Sequence, residues 1–281
     1  MTKKFILNAD DFGMSQAFNQ AVLKGYQQGI LTSASICSNG EAFESAVGEI
    51  IPQCPNLSVG VHLNIIEGKS LTDVRMLTDE YGNFNNGYGA LILKSFNQEF
   101  LQQVEQEFRA QIKMAISRTK IDHIDSHVHT HAIPNIFKIV VKLAKEYNIP
   151  YVRTQFEHFY MIPSIKKHLT LAYPINLIKI ILLNTFTMIN KPLLEENNLK
   201  TNDYLIGVGY TGMMSDRTIA YGLKSLMKKD CLAEALIHPC DYDDGKTDHH
   251  TTEFELTQNE DLRAFIKEIG FELSNHTDAI L

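Results

Sequence analysis

The sequence predicts a single α/β domain of βα units around a parallel sheet or barrel, and three observations carry that expectation. Short apolar or β-branched runs alternate with longer helical patterns along the chain. Polar or ionisable residues recur where those runs end, and no Gly/Pro/Ser-rich linker or fixed-period repeat divides the 281 residues. The strand candidates are Lys4–Ala9, Thr32–Cys37, Leu57–Leu63, Ile121–Ser126, Tyr151–Arg153, Leu205–Gly209 and Ala235–His238. Helical patterns lie between them at Ser15–Gln28, Gln98–Ser117, Asn135–Tyr147 and Asp216–Lys229, with Ser15 and Asp216 placed as N-caps and Gly29 just past the first helix. Two segments read as insertions, Asp79–Gly89 and a helical stretch from about 156 to 198. Long loops in barrel enzymes usually shape the substrate site.

Composition narrows the function. Hydrophobic residues make up 44% and charged residues 21%, as in ordinary globular proteins, which excludes a disordered chain. Lys and Arg number 26 against 33 Asp and Glu, a net charge of -7, so no basic surplus exists to meet a nucleic acid. The start runs from Lys3-Lys4 straight into Phe5-Ile6-Leu7 without a signal-peptide apolar region, and a cytoplasmic setting is expected. Cys37, Cys54, Cys231 and Cys240 form no C-x-x-C pair and are expected as reduced, buried thiols. The apolar stretch Leu171–Ile189 contains Pro174, Asn176, Lys179 and Asn184, so a buried helix is expected and no membrane span. Its other use would be contact with a second subunit in a homodimer.

The chemistry should sit at the strand ends, because in a parallel barrel these open on one face. Asp10 and Asp11 end the first strand, His62 the third, Arg153 the fifth and His238 the seventh, while His127 follows the fourth. Two adjacent carboxylates are costly to desolvate together unless a cation relieves them. With His62 and His127 a set of two imidazoles and one carboxylate forms, which leaves coordination positions open for water or substrate. A lone strand-end histidine is ordinarily just a satisfied polar residue; recurrence at successive strand ends favours a site. If the stretch from His123 to His131 is extended, His123, Asp125, His127, His129 and His131 share one face, and spacing does not decide which of them bind metal. His249, His250 and His276 are expected to be exposed, and His158 and His168 have no evident partner. Gly207-x-Gly209 lacks the rest of a dinucleotide-binding pattern.

At these residues the chain resembles the YdjC-like carbohydrate deacetylases, whose best-known members are chitooligosaccharide deacetylases. The matching stretches are Asn8-Ala9-Asp10-Asp11-Phe12-Gly13, Val59-Gly60-Val61-His62-Leu63-Asn64, His123-Ile124-Asp125-Ser126-His127-x-His129-x-His131 with Pro134, and Ile237-His238-Pro239. Where some relatives carry consecutive histidines, Val128 stands between His127 and His129. The resemblance implies a distorted TIM-like (β/α) barrel and one divalent metal ion, used to remove the N-acetyl group of an amino sugar. It implies Asp11, His62 and His127 as metal ligands, Asp10 as base and His238 as acid. Asp125, His129, His131 and Arg153 would then tune these groups or meet the substrate. Magnesium is the family's usual ion, whereas two imidazoles suit zinc or another transition ion better. Three rival readings use the same residues: a phosphoesterase with a second metal on His129 and His131, an iron(II) oxygenase, and a non-catalytic metal- or sugar-binding module.

Overall fold

The computed structural model describes residues 3–163, 168, 170 and 172–280. Its strands form one curled, parallel sheet in the order β5-β4-β3-β2-β1-β7-β6, with β8 added to β1. They are β1 (Lys3–Phe12), β2 (Ser33–Ile36), β3 (Ser58–Leu63), β4 (His123–Ser126), β5 (Tyr151–Val152), β6 (Tyr204–Ile206), β7 (Leu232–Ile237) and β8 (Phe271–Ser274). The seven expected strands are present, within three residues at each end; β8, too polar to be picked out, was not expected. β7 follows one edge of β1 from Lys4 to Ala9, while β8 and then β2 share the other. The TIM-like barrel is a half-barrel: β5 and β6 do not pair, and a single bridge, Tyr151 with Lys200, stands between them.

Side chains alternate across a strand with period two, and here the two faces have opposite chemistry. Phe5, Leu7, Ala9, Ala34, Ile36, Val59, Val61, Leu63, Ile124, Val152, Ala233, Ala235 and Ile237 join the main hydrophobic core under the helices. Full burial of each large side chain among them stabilises the fold by roughly 1.5–3 kcal/mol. The intervening positions, among them Asn8, Asp10, Ser35, His62, His123, Asp125, Tyr151, Arg153 and Glu234, are buried too, but in hydrogen bonds and ion pairs. Gly60 belongs to that polar face opposite His123. A Cβ there would lie 2.2 Å from the His123 ring, so only glycine lets the imidazole in.

The expected helices appear as Gln16–Gln28, Gln98–Ile116, Pro134–Glu146 and Asp216–Ser225. Ser15 is the N-cap residue of the first but makes no side-chain cap bond. Ser215, not Asp216, caps the last, in a reciprocal box with Thr218. Gly29 is extended, φ −128°, rather than left-handed; glycine is required because a Cβ would lie 2.2 Å from the Thr257 carbonyl oxygen. All four cysteines are free and buried.

The segment expected as an insertion, 156–198, joins β5 to β6 and holds the helix Ala172–Glu196; residues 164–167, 169 and 171, where the apolar stretch begins, lie outside the described residues. The expected burial of this helix is corrected. It packs Ile180, Leu183 and Leu194 inward, while Ile175, Ile178, Ile181, Met188 and Ile189 are exposed. Its sequence is apolar almost all round, and only one side finds a partner, on the Pro134–Glu146 helix and the His127–Ala132 turn. By length and composition Tyr173–Glu196 is long and apolar enough to cross a membrane, with 28% of its most apolar window buried.

Candidate active site

β1 solves a geometric problem at its end. Successive strand residues point to opposite faces, yet Asp10 and Asp11 both line one cavity. The register with β2 slips between Ala9 and Phe12, and Asp11 takes a left-handed φ of 63°, a conformation Asp tolerates better than most residues. Asn19 holds the turn, accepting from the Gly13 amide at 2.9 Å and donating to the Ala42 carbonyl at 3.0 Å.

β4 ends abruptly as well. The extended alternation expected from His123 to His131 holds only to Ser126. His127–Ala132 is a tight helical turn in which Val128 (φ 51°, ψ 25°) and His129 (φ 57°, ψ 28°) are both left-handed. The five polar residues therefore separate. His123 stacks on His276 with ring centroids 3.6 Å apart, and its Nδ1 is 2.6 Å from Asp122. His276, expected to be exposed, is fully buried beyond β8, where Ser33 and Glu234 contact it. His131 is bonded to the Ser126 hydroxyl, the Arg153 carbonyl and Gln155. Only His127 and His129 reach the cavity wall.

Asp11, His62 and His127 converge. The Asp11 Oδ1 lies 3.2 Å from His62 Nε2 and 2.8 Å from His127 Nδ1. Ligand atoms about 2.1 Å from one ion stand about 3 Å apart at right angles, so the set has the spacing and the chemistry to hold a divalent ion. Asp125 fixes the orientation of His62, accepting from Nδ1 at 2.7 Å and leaving Nε2 for Asp11 or a metal. Burial alone would lower both imidazoles, but Asp125 and Asp11 outweigh it and raise His62 to about 10, while Asp11 and Glu67 raise His127 to about 9. Burial would raise Asp11, but His127 and His62 hold it well below the usual carboxylate range.

Below this cluster the Arg153 guanidinium is fully buried among three carboxylates. It donates to Asp10 through Nη1 and Nη2, each at 2.8 Å, to Glu234 through Nε at 2.6 Å, and lies 2.7 Å from Asp125. Asn8 adds a bond to Asp10, and Ser35 one to Asp125. Across the cavity His238 stands over the buried Glu253, whose Oε2 accepts the His238 amide and lies 3.5 Å from its Nδ1. Burial would lower this imidazole, but Glu253 and Asp11 raise it to about 9. For His129, burial and then the Arg153 charge act the same way and hold it well below its ordinary value.

The cavity measures about 560 Å³, and Leu183, Val208 and Leu236, which belong to one apolar cluster, line it together with Asp11 and His127. His249, exposed as expected, and His250, half-buried, both line it, and the His250 Nδ1 lies 2.6 Å from the His238 carbonyl. His168 does have a partner, the Tyr210 hydroxyl at 3.1 Å. Glu253, Glu234 and Ser35 were not anticipated. Glu234 and Ser35 betray themselves only by polar character in the interior register of their strands, and Glu253 carries no local signal. No group of three metal donors among the described residues includes His129 or His131.

A parallel half-barrel with carboxylates and imidazoles gathered at its strand ends defines a class, the α/β proteins with a candidate metal site at the barrel mouth. The chain belongs within it to the YdjC-like protein family, whose model matches residues 4–268. A carbohydrate deacetylase of Brevibacillus brevis is 42% identical over 149 residues, 52% of this chain and 58% of that protein. One from Geobacillus stearothermophilus is 37% identical over 161 residues, 56% of this chain and 63% of that protein. The matches thus span little more than half the length of these relatives. In fold, an Enterococcus faecalis protein whose crystal structure carries a provisional cellobiose-phosphate cleavage label is similar over the whole of both chains, with a TM-score of 0.75 at 23% identity.

Proposed function

We propose that the chain is a metal-dependent carbohydrate deacetylase that hydrolyses the N-acetyl group of an amino sugar or short chitooligosaccharide. One observation carries the reading: a carboxylate held by Arg153 and an imidazole held by Glu253 face one cavity around a donor set for a divalent ion. The carbohydrate deacetylases among its relatives give the reaction its class. Asp11, His62 and His127 would hold the ion, and when bound it supplies acidification of water and polarisation of the acetyl carbonyl. Two imidazoles favour zinc or another transition ion over magnesium, which prefers oxygen ligands.

The chain's own residues supply proton transfer. Asp10 Oδ2 accepts one bond from Arg153, so a lone pair remains to take a proton from the attacking water. With Nδ1 turned to Glu253, the His238 Nε2 delivers a proton to the amine nitrogen as its bond to the acetyl carbon breaks, giving acetate and the free amino sugar. Two imidazolium-stabilising carboxylates serve different ends: Asp125 orients a ligand, whereas Glu253 keeps an acid loaded. The four free thiols suit a reducing, cytoplasmic setting, and we read residues 1–281 as one domain in which the β5–β6 connection is an insertion that walls the substrate cavity.

The test is acetate release from N-acetylglucosamine oligomers by protein stripped of metal and reloaded ion by ion. Asp10→Asn and His238→Ala should each lower kcat by about 100–10,000-fold while metal binding, followed by calorimetry, persists. No acetate with any ion, or wild-type rates in both variants, would overturn the reading.

A further inference from the structure

His129 differs from the histidines around it. His62 and His127 engage Asp125 and Asp11, His131 engages Ser126 and the Arg153 carbonyl, and His238 engages Glu253. The His129 side chain has no hydrogen-bond partner among the described residues, and its Nδ1 is sealed from solvent. The residue lines the cavity shared by Asp10, Asp11, His127 and His238. It is held there against local preference, because Val128 before it is left-handed and a β-branched residue in that region is a steric outlier.

The sealed nitrogen fixes the tautomer. A neutral imidazole carries hydrogen on one nitrogen and a lone pair on the other. A buried N–H without an acceptor is rarer than a buried acceptor without a donor. We therefore assign the hydrogen to Nε2, the nitrogen that is not sealed, and the ring offers the cavity a donor with no acceptor among the described residues. Nor does His129 belong to any group of metal donors among the described residues. A pre-placed, unpaired donor beside a reaction centre is what stabilises charge that appears only during the reaction.

We propose that the His129 Nε2–H donates to the acetyl carbonyl oxygen as that oxygen gains negative charge in the tetrahedral intermediate. The inference rests on the deacetylase reading and deepens it, making His129 a catalytic residue with no share in proton transfer.

The test compares His129→Phe, which keeps an aromatic ring without the donor, with His129→Gln, which restores an N–H. His129→Phe should lose about 100–1,000-fold in kcat, the range for one such donor, with KM within about twofold and calorimetric ion affinity unchanged. A phosphonamidate replacing the acetamide, a mimic of the intermediate, should bind this variant more weakly by a similar factor, and His129→Gln should recover part of both losses. If melting curves show that the Phe variant does not fold, His129→Ala replaces it in the same measurements. Unchanged kcat, a rise in KM alone, or a tenfold loss of ion affinity would each overturn the role while leaving the deacetylase reading intact. No acetate release by the wild-type protein with any ion would overturn both.

Discussion

Replacing Arg153 with Met tests whether the polar interior is held together by one cation. The substitution keeps the apolar stem to about the position of Nε but removes the charged guanidinium from among Asp10, Asp125 and Glu234, all essentially inaccessible to solvent. Removing one partner of a buried ion pair costs about 3–5 kcal/mol, a large part of the 5–15 kcal/mol that holds a typical domain. At about 2 °C per kcal/mol for a chain of this size, the melting temperature should fall by about 6–10 °C. The loss should depend on pH. In the wild type burial would raise Glu234, but Arg153 outweighs it and holds the carboxyl at about 2, so its stabilising effect is present above the unfolded value and is lost only as pH falls toward 2. Without the guanidinium, the burial that Arg153 opposed is left acting on Glu234 and raises its folded value above the unfolded one. Stability is then lost as pH rises through that folded value, and protonation relieves the defect in acid. Guanidinium unfolding of both proteins at pH 5 and pH 8 should give the larger deficit at pH 8; equal deficits, or none, would refute the reasoning.

Three further outcomes follow from the geometry. Asp125→Asn removes the negative charge that fixes the His62 ring and should weaken ion binding by about 10–100-fold; unchanged affinity by calorimetry would mean that His62 needs no such support. Because His62 rises to about 10 and His127 to about 9 in the metal-free protein, an ion must displace protons from them. Ion affinity measured by chelator competition should therefore climb between pH 6 and pH 8, by up to tenfold per pH unit for each proton displaced, and a flat profile would contradict the cluster. Gly60→Ala sets a methyl group against the His123 ring and should cost about 1–3 kcal/mol, read as a lower thermal midpoint without loss of the folded spectrum.

The strands and their polar ends were legible because both signals are local: an apolar run, then a residue that cannot be apolar by accident so many times. The ladder after His123 misled for the same reason, since a period-two pattern carries no sign of the two left-handed residues, Val128 and His129, that break it. His276 could not be read as buried, because what buries it is the ring of His123, more than a hundred residues away in sequence. Glu253 is equally silent, being an ordinary helix residue until the fold places it under His238. The helix Ala172–Glu196 was apolar enough to suggest burial, yet hydropathy cannot say how much partner surface exists, and here only one side meets any.

The interior has two layers with different electrical duties. In the lower one Arg153, Asp10, Asp125 and Glu234 satisfy one another through bonds of 2.6–2.8 Å, so neither solvent nor substrate is needed to complete them. In the upper one Asp11 faces His62 and His127, both held protonated at neutral pH in the metal-free protein by the carboxylates around them. Exchanging those two protons for a dication leaves the total charge of the cluster unchanged. The lower layer therefore feels nearly the same field with or without the metal, and the carboxylate–guanidinium scaffold that aims Asp10 need not rearrange when an ion enters. A site built this way would take up and release an ion without unfolding, because its positioning elements and its exchangeable elements are different residues.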